Sequence, residues 1–186
     1  MNAVSNASTV YEGILSDYLA ELSWLHYDLQ GIASDYPEHS EYWYNKVSPR
    51  GHTERFYRYP AKLIECHPGI QDIMSQVRAR LPDGFTMDVG MTKFPPYFDL
   101  APHLDYYRQA GIMFPLSTED LAPIRWVNDC DELLCEHYYR MPTLIRTQIR
   151  HGVTNRSATR VNLELTFRQP WEEILTYLAP NREVGV

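Results

Sequence analysis

The sequence lacks an excess of basic residues: its 186 residues contain 17 Lys and Arg against 24 Asp and Glu, and the formal net charge is −7. Proteins that bind nucleic acid usually carry a basic surface, so we expect no nucleic-acid partner. The sequence also lacks an apolar run of about 18 residues, the length that crosses a bilayer. It begins with neither a basic nor an apolar leader segment. We therefore expect no membrane partner and a cytoplasmic location.

Cysteine is also scarce, with only Cys66, Cys130 and Cys135 in the chain. This odd number, without a Cys-x-x-Cys spacing, is not the pattern of a disulfide framework. We expect three reduced thiols, as in a cytoplasmic protein. No internal repeat is visible, which argues against a solenoid.

The composition that remains is that of a globular protein, with 44% hydrophobic and 22% charged residues, and the length predicts a single domain over residues 1–186. Apolar residues recur at helical spacing over 14–29, after a candidate capping box at 9–12. Gly31 is expected to end this helix. Residues 35–60 show no clear period and are expected to form loop with short strands. A second helix is predicted over 68–81, since Pro68 suits a first helical turn.

The pattern of residue types changes after residue 84, where eight short β-compatible segments are separated by turn residues. These segments are 85–94, 102–106, 112–116, 124–128, 136–139, 143–147, 149–153 and 160–167. Such a series is typical of a sandwich or jelly roll. We therefore predict a mainly β, jelly-roll core over about 85–168, with helical support over about 8–84 and a C-terminal helix over about 170–179.

The last predicted strand has one polar and one apolar face, because successive side chains alternate across a strand. The polar face carries Arg160, Asn162, Glu164 and Thr166, and the apolar face carries Val161, Leu163, Leu165 and Phe167. We expect the amphipathic helices to cover the apolar face. The polar face suits the mouth of a barrel that holds a ligand.

Four His-x-acid triplets occur, where chance alone gives about one. They are His26/Asp28, His39/Glu41, His52/Glu54 and His103/Asp105. Residues two apart share a face on a strand and can bind one ion, whereas on a helix they point about 200° apart and cannot. The first triplet lies in the predicted first helix, and the next two precede the predicted sheet. The fourth is therefore the candidate ligand pair.

A third ligand is available in His151, which lies 48 residues after His103 in another predicted strand. Two histidines and one carboxylate occupy one face of an octahedral ferrous ion and leave three positions open, although the same set also suits zinc. Arg160 follows nine residues later. Its guanidinium can hold a carboxylate through two parallel hydrogen bonds.

His103-Leu-Asp105, then His151, then Arg160 at the start of the last strand resemble the pattern of the Fe(II)- and 2-oxoglutarate-dependent oxygenases. The resemblance covers about residues 86–168 and implies a distorted double-stranded β-helix of jelly-roll or cupin type. It implies that His103, Asp105 and His151 are the catalytic, iron-binding residues and that Arg160 binds 2-oxoglutarate. Within the family, the chain is similar to the aspartyl/asparaginyl and free-proline hydroxylases.

The resemblance implies hydroxylation of a C–H bond in a small molecule, amino acid or peptide side chain, with O2 consumed, succinate and CO2 formed, and ascorbate as a stimulant. Asp105 favours hydroxylation, because the halogenases of the family lack this carboxylate. Two alternatives stay open: a zinc-bearing or metal-free cupin-like binding module, and an isomerase or lyase that uses the same triad. Arg108 could contact a substrate carboxylate, but it is interpreted as an exposed arginine paired with a nearby acid. His137 is interpreted as a structural histidine or a substrate contact.

Overall fold

The computed structural model describes residues 17–29, 31–47, 53–116, 122–138, 140–155 and 157–179. Within them the strands are β1 (Leu19–Glu21), β2 (Trp43–Val47), β3 (Thr53–Arg58), β4 (Met87–Phe94), β5 (Asp99–His103), β6 (Ala110–Pro115), β7 (Ile124–Val127), β8 (Leu133–His137), β9 (Thr143–Arg146), β10 (His151–Thr154) and β11 (Arg160–Phe167). The helices are α1 (Ile32–Asp35), a 3-10 turn (Ser40–Tyr42), α2 (Ala61–Glu65), α3 (Pro68–Arg78) and α4 (Trp171–Leu178).

The strands form two antiparallel sheets. The large sheet has the order β1-β9-β6-β11-β4-β3-β2, and the small sheet has the order β5-β10-β7-β8. From β4 onward the chain passes back and forth between the two sheets, with β4, β6, β9 and β11 in the large one and the other four strands in the small one. This alternation is the winding of a double-stranded β-helix, so the predicted jelly roll is confirmed.

All eight predicted core strands are present, most with boundaries shifted by a few residues. The predicted strand over 102–106 lies instead at 99–103, whereas β11 has the predicted bounds. Its apolar face is buried in one cluster with α3 and α4, as predicted. The α3 and α4 residues of that cluster are Ile70, Ile73, Val77, Trp171, Ile174 and Leu178. The helices therefore cover the large sheet on one side and leave its polar face to the cavity described below.

Helix α3 begins as its sequence predicts. Pro68 occupies the first turn, and Nδ1 of His67 accepts a hydrogen bond from the Gly69 backbone N–H at 3.2 Å. The side chain of His67 thus satisfies one of the free donors at the start of the helix. The helix ends at Arg78, three residues before the predicted end.

The predicted first helix over 14–29 is wrong for the residues that the structure describes. Residues 19–21 are extended as β1, which pairs with β9, and the backbone N–H of Leu22 donates to the carbonyl of Pro142 at 2.8 Å. Of the helically spaced side chains that the structure describes, Leu22, Leu25 and Leu29 are buried, but they lie in an irregular segment after β1. The open edge of β9 supplies backbone partners from a distant part of the chain, which local periodicity does not reveal.

Three further predictions concern the N-terminal part. Gly31 has φ of 80°, but it precedes α1 and ends no helix that the structure describes. Strands β2 and β3 extend the large sheet beyond β4 and lie in the segment over 35–60 for which short strands are expected. Within the support predicted as helical over about 8–84, β1 is the strand that replaces a predicted helix. The candidate capping box at 9–12 lies outside the described residues.

Two further expectations concern the whole chain. All three cysteines are free thiols, and Cys135 is buried. None of the described helices is both long and apolar enough to cross a membrane.

Candidate metal centre

The small sheet brings the two candidate histidines side by side. His103 is the last residue of β5 and His151 the first of β10, and the two are direct partners in the antiparallel ladder. Their ring centroids lie 4.8 Å apart. Asp105 follows β5 in the loop that leaves the sheet. Its backbone N–H donates to the carbonyl of Thr147 at 3.3 Å, which returns the loop towards β10.

The close pairing of β5 with β10 depends on Gly152. The β5–β10 ladder shifts register between His151 and Val153, and a Cβ atom added to Gly152 would lie 2.4 Å from the carbonyl oxygen of Leu100. That separation is far inside van der Waals contact, and the neighbouring atom belongs to the backbone. Only glycine therefore allows β5 to approach β10 beside the two histidines.

The three side chains converge on one point. Nε2 of His103 lies 3.5 Å from Oδ1 of Asp105, and Nε2 of His151 lies 3.7 Å from Oδ2 of the same carboxylate. One ligand atom from each residue can be chosen so that all three lie within 4.8 Å of one another. Two imidazole nitrogens and one carboxylate oxygen form a donor set that suits Fe(II) and other first-row metals.

Backbone carbonyls fix which ring nitrogen of each histidine faces this point. Nδ1 of His103 lies 3.0 Å from the carbonyl oxygen of Ala101, and Nδ1 of His151 lies 2.9 Å from that of Ile149. A carbonyl oxygen can accept a hydrogen bond but cannot donate one, so the neutral ring carries its proton on Nδ1. The lone pair is then on Nε2 and available to a metal.

The charge states also suit a metal. Burial lowers the pKa of His151 and the neighbouring His103 lowers it further, so the pKa falls to about 4 although Asp105 acts in the opposite direction. Burial raises the pKa of Asp105, but the contact with His103 and the charge of Arg108 outweigh it, and the pKa falls to about 2. At neutral pH the centre therefore offers an uncharged imidazole at His151 and an ionised carboxylate at Asp105.

Arg108 lies between two carboxylates. Its Nη2 donates to Oδ1 of Asp105 at 3.3 Å, and its Nη1 lies 2.6 Å from Oε2 of Glu164 on β11. Its Nε lies 2.6 Å from Oδ2 of Asp105 in an ion-pair contact, and this buried Oδ2 accepts no hydrogen bond from the described residues. A buried carboxylate oxygen that accepts no hydrogen bond keeps lone pairs with which it can bind a metal.

Arg160 lies in the same cavity, on the large sheet. It is only 4% exposed, its Nε donates to Oδ1 of Asn162 at 2.8 Å, and its Nη1 donates to the carbonyl of Ala122 at 2.8 Å. The guanidinium is thus held in a defined position and is not a surface ion pair.

A cavity of about 700 Å³ connects these groups. The three candidate ligands reach it from the small sheet, and the polar face of β11 lines it from the large sheet, as its alternation predicts. The β11 residues in the lining are Arg160, Asn162, Glu164 and Thr166. Phe56, Phe94 and Met113 add an apolar part. This volume lies within the range of small-molecule sites in proteins.

The other histidines that the structure describes are not part of the centre. Among the described residues, only His103, Asp105 and His151 form a group of ligand atoms close enough for one metal. His26 is exposed. His137 lies with Nε2 3.5 Å from Oε1 of Glu21, which agrees with a structural role. His52 lies outside the described residues.

The contact of Arg108 with Asp105 agrees with its interpretation as an arginine paired with a nearby acid, but the side chain is half-buried in the cavity lining instead of exposed, and its second partner was missed. Glu164 is 56 residues away in sequence, and only the meeting of the two sheets brings it to Arg108. A signal did exist, because Glu164 was already placed on the inward polar face of β11.

Comparison with known proteins rests on structure alone. No family model matches the chain, and no curated protein matches it in sequence. A solved structure described as an oxidoreductase of the 2OG-Fe(II) oxygenase family from Burkholderia pseudomallei superposes with a TM-score of 0.52 at 10% identity, over 73% of this chain and 74% of that one. The chain has the fold of the 2OG-Fe(II) oxygenases.

A second similar structure is a prolyl-4-hydroxylase from Pseudomonas putida, with a TM-score of 0.49 and 13% identity over 88% of each chain. At these identities the likeness concerns the fold. The chemistry has to be argued from the side chains of this chain.

Proposed function

We propose that this protein is a non-haem Fe(II)- and 2-oxoglutarate-dependent oxygenase that hydroxylates a C–H bond. The observation that carries the proposal is the meeting of His103, Asp105 and His151 in one cavity with the buried guanidinium of Arg160. A metal-binding module without 2-oxoglutarate chemistry would need the triad but not this arginine. Bound iron with 2-oxoglutarate would supply the activation of O2, with succinate and CO2 as co-products.

The metal would be held by Nε2 of each histidine and by the carboxylate of Asp105. Three protein ligands on one side leave the cavity side of the ion open to other ligands. Because both Nδ1 atoms are engaged by carbonyls, the rings need little reorientation before they bind. The low pKa values of His151 and Asp105 mean that neither group has to lose a proton at neutral pH.

Arg160 would hold the distal carboxylate of 2-oxoglutarate. Its hydrogen bonds to Asn162 and Ala122 fix the guanidinium before the co-substrate arrives, so that little side-chain entropy is lost on binding. Burial strengthens the charged contact, because water screens it less.

The substrate would be a small molecule, an amino acid or a peptide side chain. The cavity volume of about 700 Å³ leaves room for such a group beside the co-substrate. Several charged side chains of the lining already neutralise each other, as Arg108 does with Asp105 and Glu164, and Arg168 with Asp88.

The deciding experiment is succinate formation from 2-oxoglutarate with Fe(II), O2 and ascorbate, first without any added substrate and then with candidate amino acids. We expect slow uncoupled turnover in the wild type and none in His151→Ala. His26→Ala is the matched control, because His26 is exposed and its hydrogen bonds with Gln76 use only its backbone. Equal succinate from wild type and His151→Ala, or none from the wild type, would refute the proposal.

Arg160→Ala separates this function from that of a simple metal-binding module. The variant should keep its metal affinity but bind 2-oxoglutarate more weakly by about thirtyfold to several thousandfold, the cost of removing one partner of a buried charged pair. Arg160→Lys should lose less, because the charge remains. Anaerobic calorimetry measures both affinities, and unchanged 2-oxoglutarate affinity in Arg160→Ala would leave the metal-binding module as the better account.

A further inference from the structure

Of the three candidate ligands, Asp105 is the one that does not lie on a strand. The two histidines end or begin strands and have their rings tied to backbone carbonyls. Asp105 lies in a loop, where a carboxylate can rotate about its side-chain bonds. Some other contact has to hold it in place before a metal arrives.

Arg108 supplies that contact and is itself held along its whole length. Its carbonyl accepts hydrogen bonds from Oγ1 of Thr147 at 2.7 Å and from Nε2 of Gln148 at 2.8 Å. Nε2 of Gln148 also donates to the carbonyl of Asp105 at 2.6 Å. The backbone of the loop is therefore anchored to the segment that precedes His151, and the side chain of Arg108 returns over Asp105.

Glu164 holds the far end of the guanidinium, with its Oε2 2.6 Å from Nη1 of Arg108. Opposite Glu164 on β4 stands Gly90, and a Cβ added there would lie only 3.1 Å from Oε1 of Glu164. Because Gly90 has no side chain, the carboxylate of Glu164 has room beside it. The chain of contacts thus runs from β11 of the large sheet, through Arg108, to Asp105 beside the small sheet.

We infer that Arg108 and Glu164 are positioning residues for the metal: Arg108 orients the Asp105 carboxylate, and Glu164 acts only by holding Arg108. This inference rests on the proposed metal site and adds two residues to it. Contacts that orient a ligand in this way typically change metal affinity by about 10- to 100-fold when they are removed.

A competing account is purely electrostatic. Glu164 could attract a cation simply through its negative charge, whether or not Arg108 is present. The two accounts differ in a double-mutant cycle, because residues that act through one another are not additive. Glu164→Gln should weaken binding of Co(II) in the presence of Arg108 and have no further effect in an Arg108→Met background. An electrostatic role predicts the same weakening in both backgrounds.

The probe is Co(II), measured by calorimetry and by its visible d–d spectrum in the full-length protein without 2-oxoglutarate. We expect Arg108→Met to weaken Co(II) by about 10- to 100-fold and to change the shape of the d–d bands, because a freed carboxylate alters the coordination. Arg108→Lys should have a Co(II) affinity between those of the wild type and Arg108→Met, since one ammonium group cannot make all the contacts of the guanidinium. Unfolding curves identify any variant that fails to fold, and Arg108→Lys and Glu164→Gln are the conservative members of the series.

Arg125→Gln is the matched control. Arg125 lies on β7 of the small sheet and pairs with Asp99 and Thr154 outside the cavity, so Co(II) affinity and spectrum should be unchanged. Wild-type protein that binds no Co(II) would overturn the metal site together with this inference. Normal Co(II) binding by the wild type, with the spectrum unchanged in Arg108→Met or with an additive cycle, would overturn the inference alone.

Discussion

Replacing Gly152 by alanine tests whether the close approach of β5 and β10 builds the centre. The new Cβ would lie 2.4 Å from the carbonyl oxygen of Leu100, 3.0 Å from the nitrogen of Pro102 and 3.2 Å from the carbonyl carbon of Ala101. All three atoms are backbone, so no side chain can move aside. The two strands would have to separate by about 1 Å to restore ordinary contact.

That displacement sets the expected magnitude. A ladder hydrogen bond of about 2.9 Å that lengthens by about 1 Å is no longer a hydrogen bond. The ladder joins β10 to β5 through His151 opposite His103 and Val153 opposite Leu100, on either side of the glycine. Losing one or two such bonds, at about 1 kcal/mol each, with some added strain gives a loss of about 1–3 kcal/mol. In a chain of this size that lowers the melting temperature by roughly 2–12 °C.

Thermal and denaturant unfolding would measure the loss, and calorimetry with Co(II) would show weaker binding because His103 moves with β5. Gly111→Ala is the matched control: Gly111 is also buried in a strand and lines the cavity, but a Cβ there would meet nothing closer than 3.6 Å. Alanine should be tolerated there and slightly stabilising, since it restricts the unfolded chain. Equal stability and Co(II) affinity in the two variants would refute the reasoning.

Three further predictions concern the pH dependence, the core and the thiols. In the metal-free protein, the unfolded chain takes up a proton at His151 near pH 6.5, whereas the folded protein does so only near a pKa of about 4. The free energy of unfolding should therefore fall as the pH drops through this range, by up to about 3 kcal/mol. Denaturant curves from pH 7 to 4 with a chelator measure this, and His151→Gln should flatten the slope; an equal slope in that variant would contradict the assignment. Ile73→Ala, at a fully buried position of α3, should cost about 2–5 kcal/mol in urea unfolding, whereas Leu63→Ala at a 46% exposed position should cost under about 0.5 kcal/mol. Iodoacetamide should label the exposed Cys66 and Cys130 in the native protein but spare Cys135, whose burial raises the pKa of its thiol to about 11; rapid labelling of all three, read by mass spectrometry, would contradict this.

The core of the fold could be predicted because its signals are local. Alternation along 160–167 identifies a strand with one polar face, and that face does line the cavity. The candidate ligands could be found for a related reason: a strand end places His103 and the nearby Asp105 at one edge, and a second strand places His151 beside them.

The N-terminal segment could not be predicted in the same way. Leu22, Leu25 and Leu29 have helical spacing and are buried, yet β1 pairs with β9, more than a hundred residues further along the chain. A local pattern reports which side chains are buried but not which backbone groups they bring together. The partnership of Arg108 with Glu164 was missed for the same reason, since it exists only where the two sheets meet.

The tie between each histidine ring and the carbonyl two residues before it has a consequence for sequence variation. Ala101 and Ile149 contribute only their backbone oxygens to these contacts, so any side chain that packs there can replace them without turning the rings. Chain length is much less forgiving, because one residue inserted between positions 101 and 103, or between 149 and 151, would remove the carbonyl from under the ring. In a library of variants, substitutions at positions 101 and 149 should therefore be accepted far more often than single-residue insertions beside them.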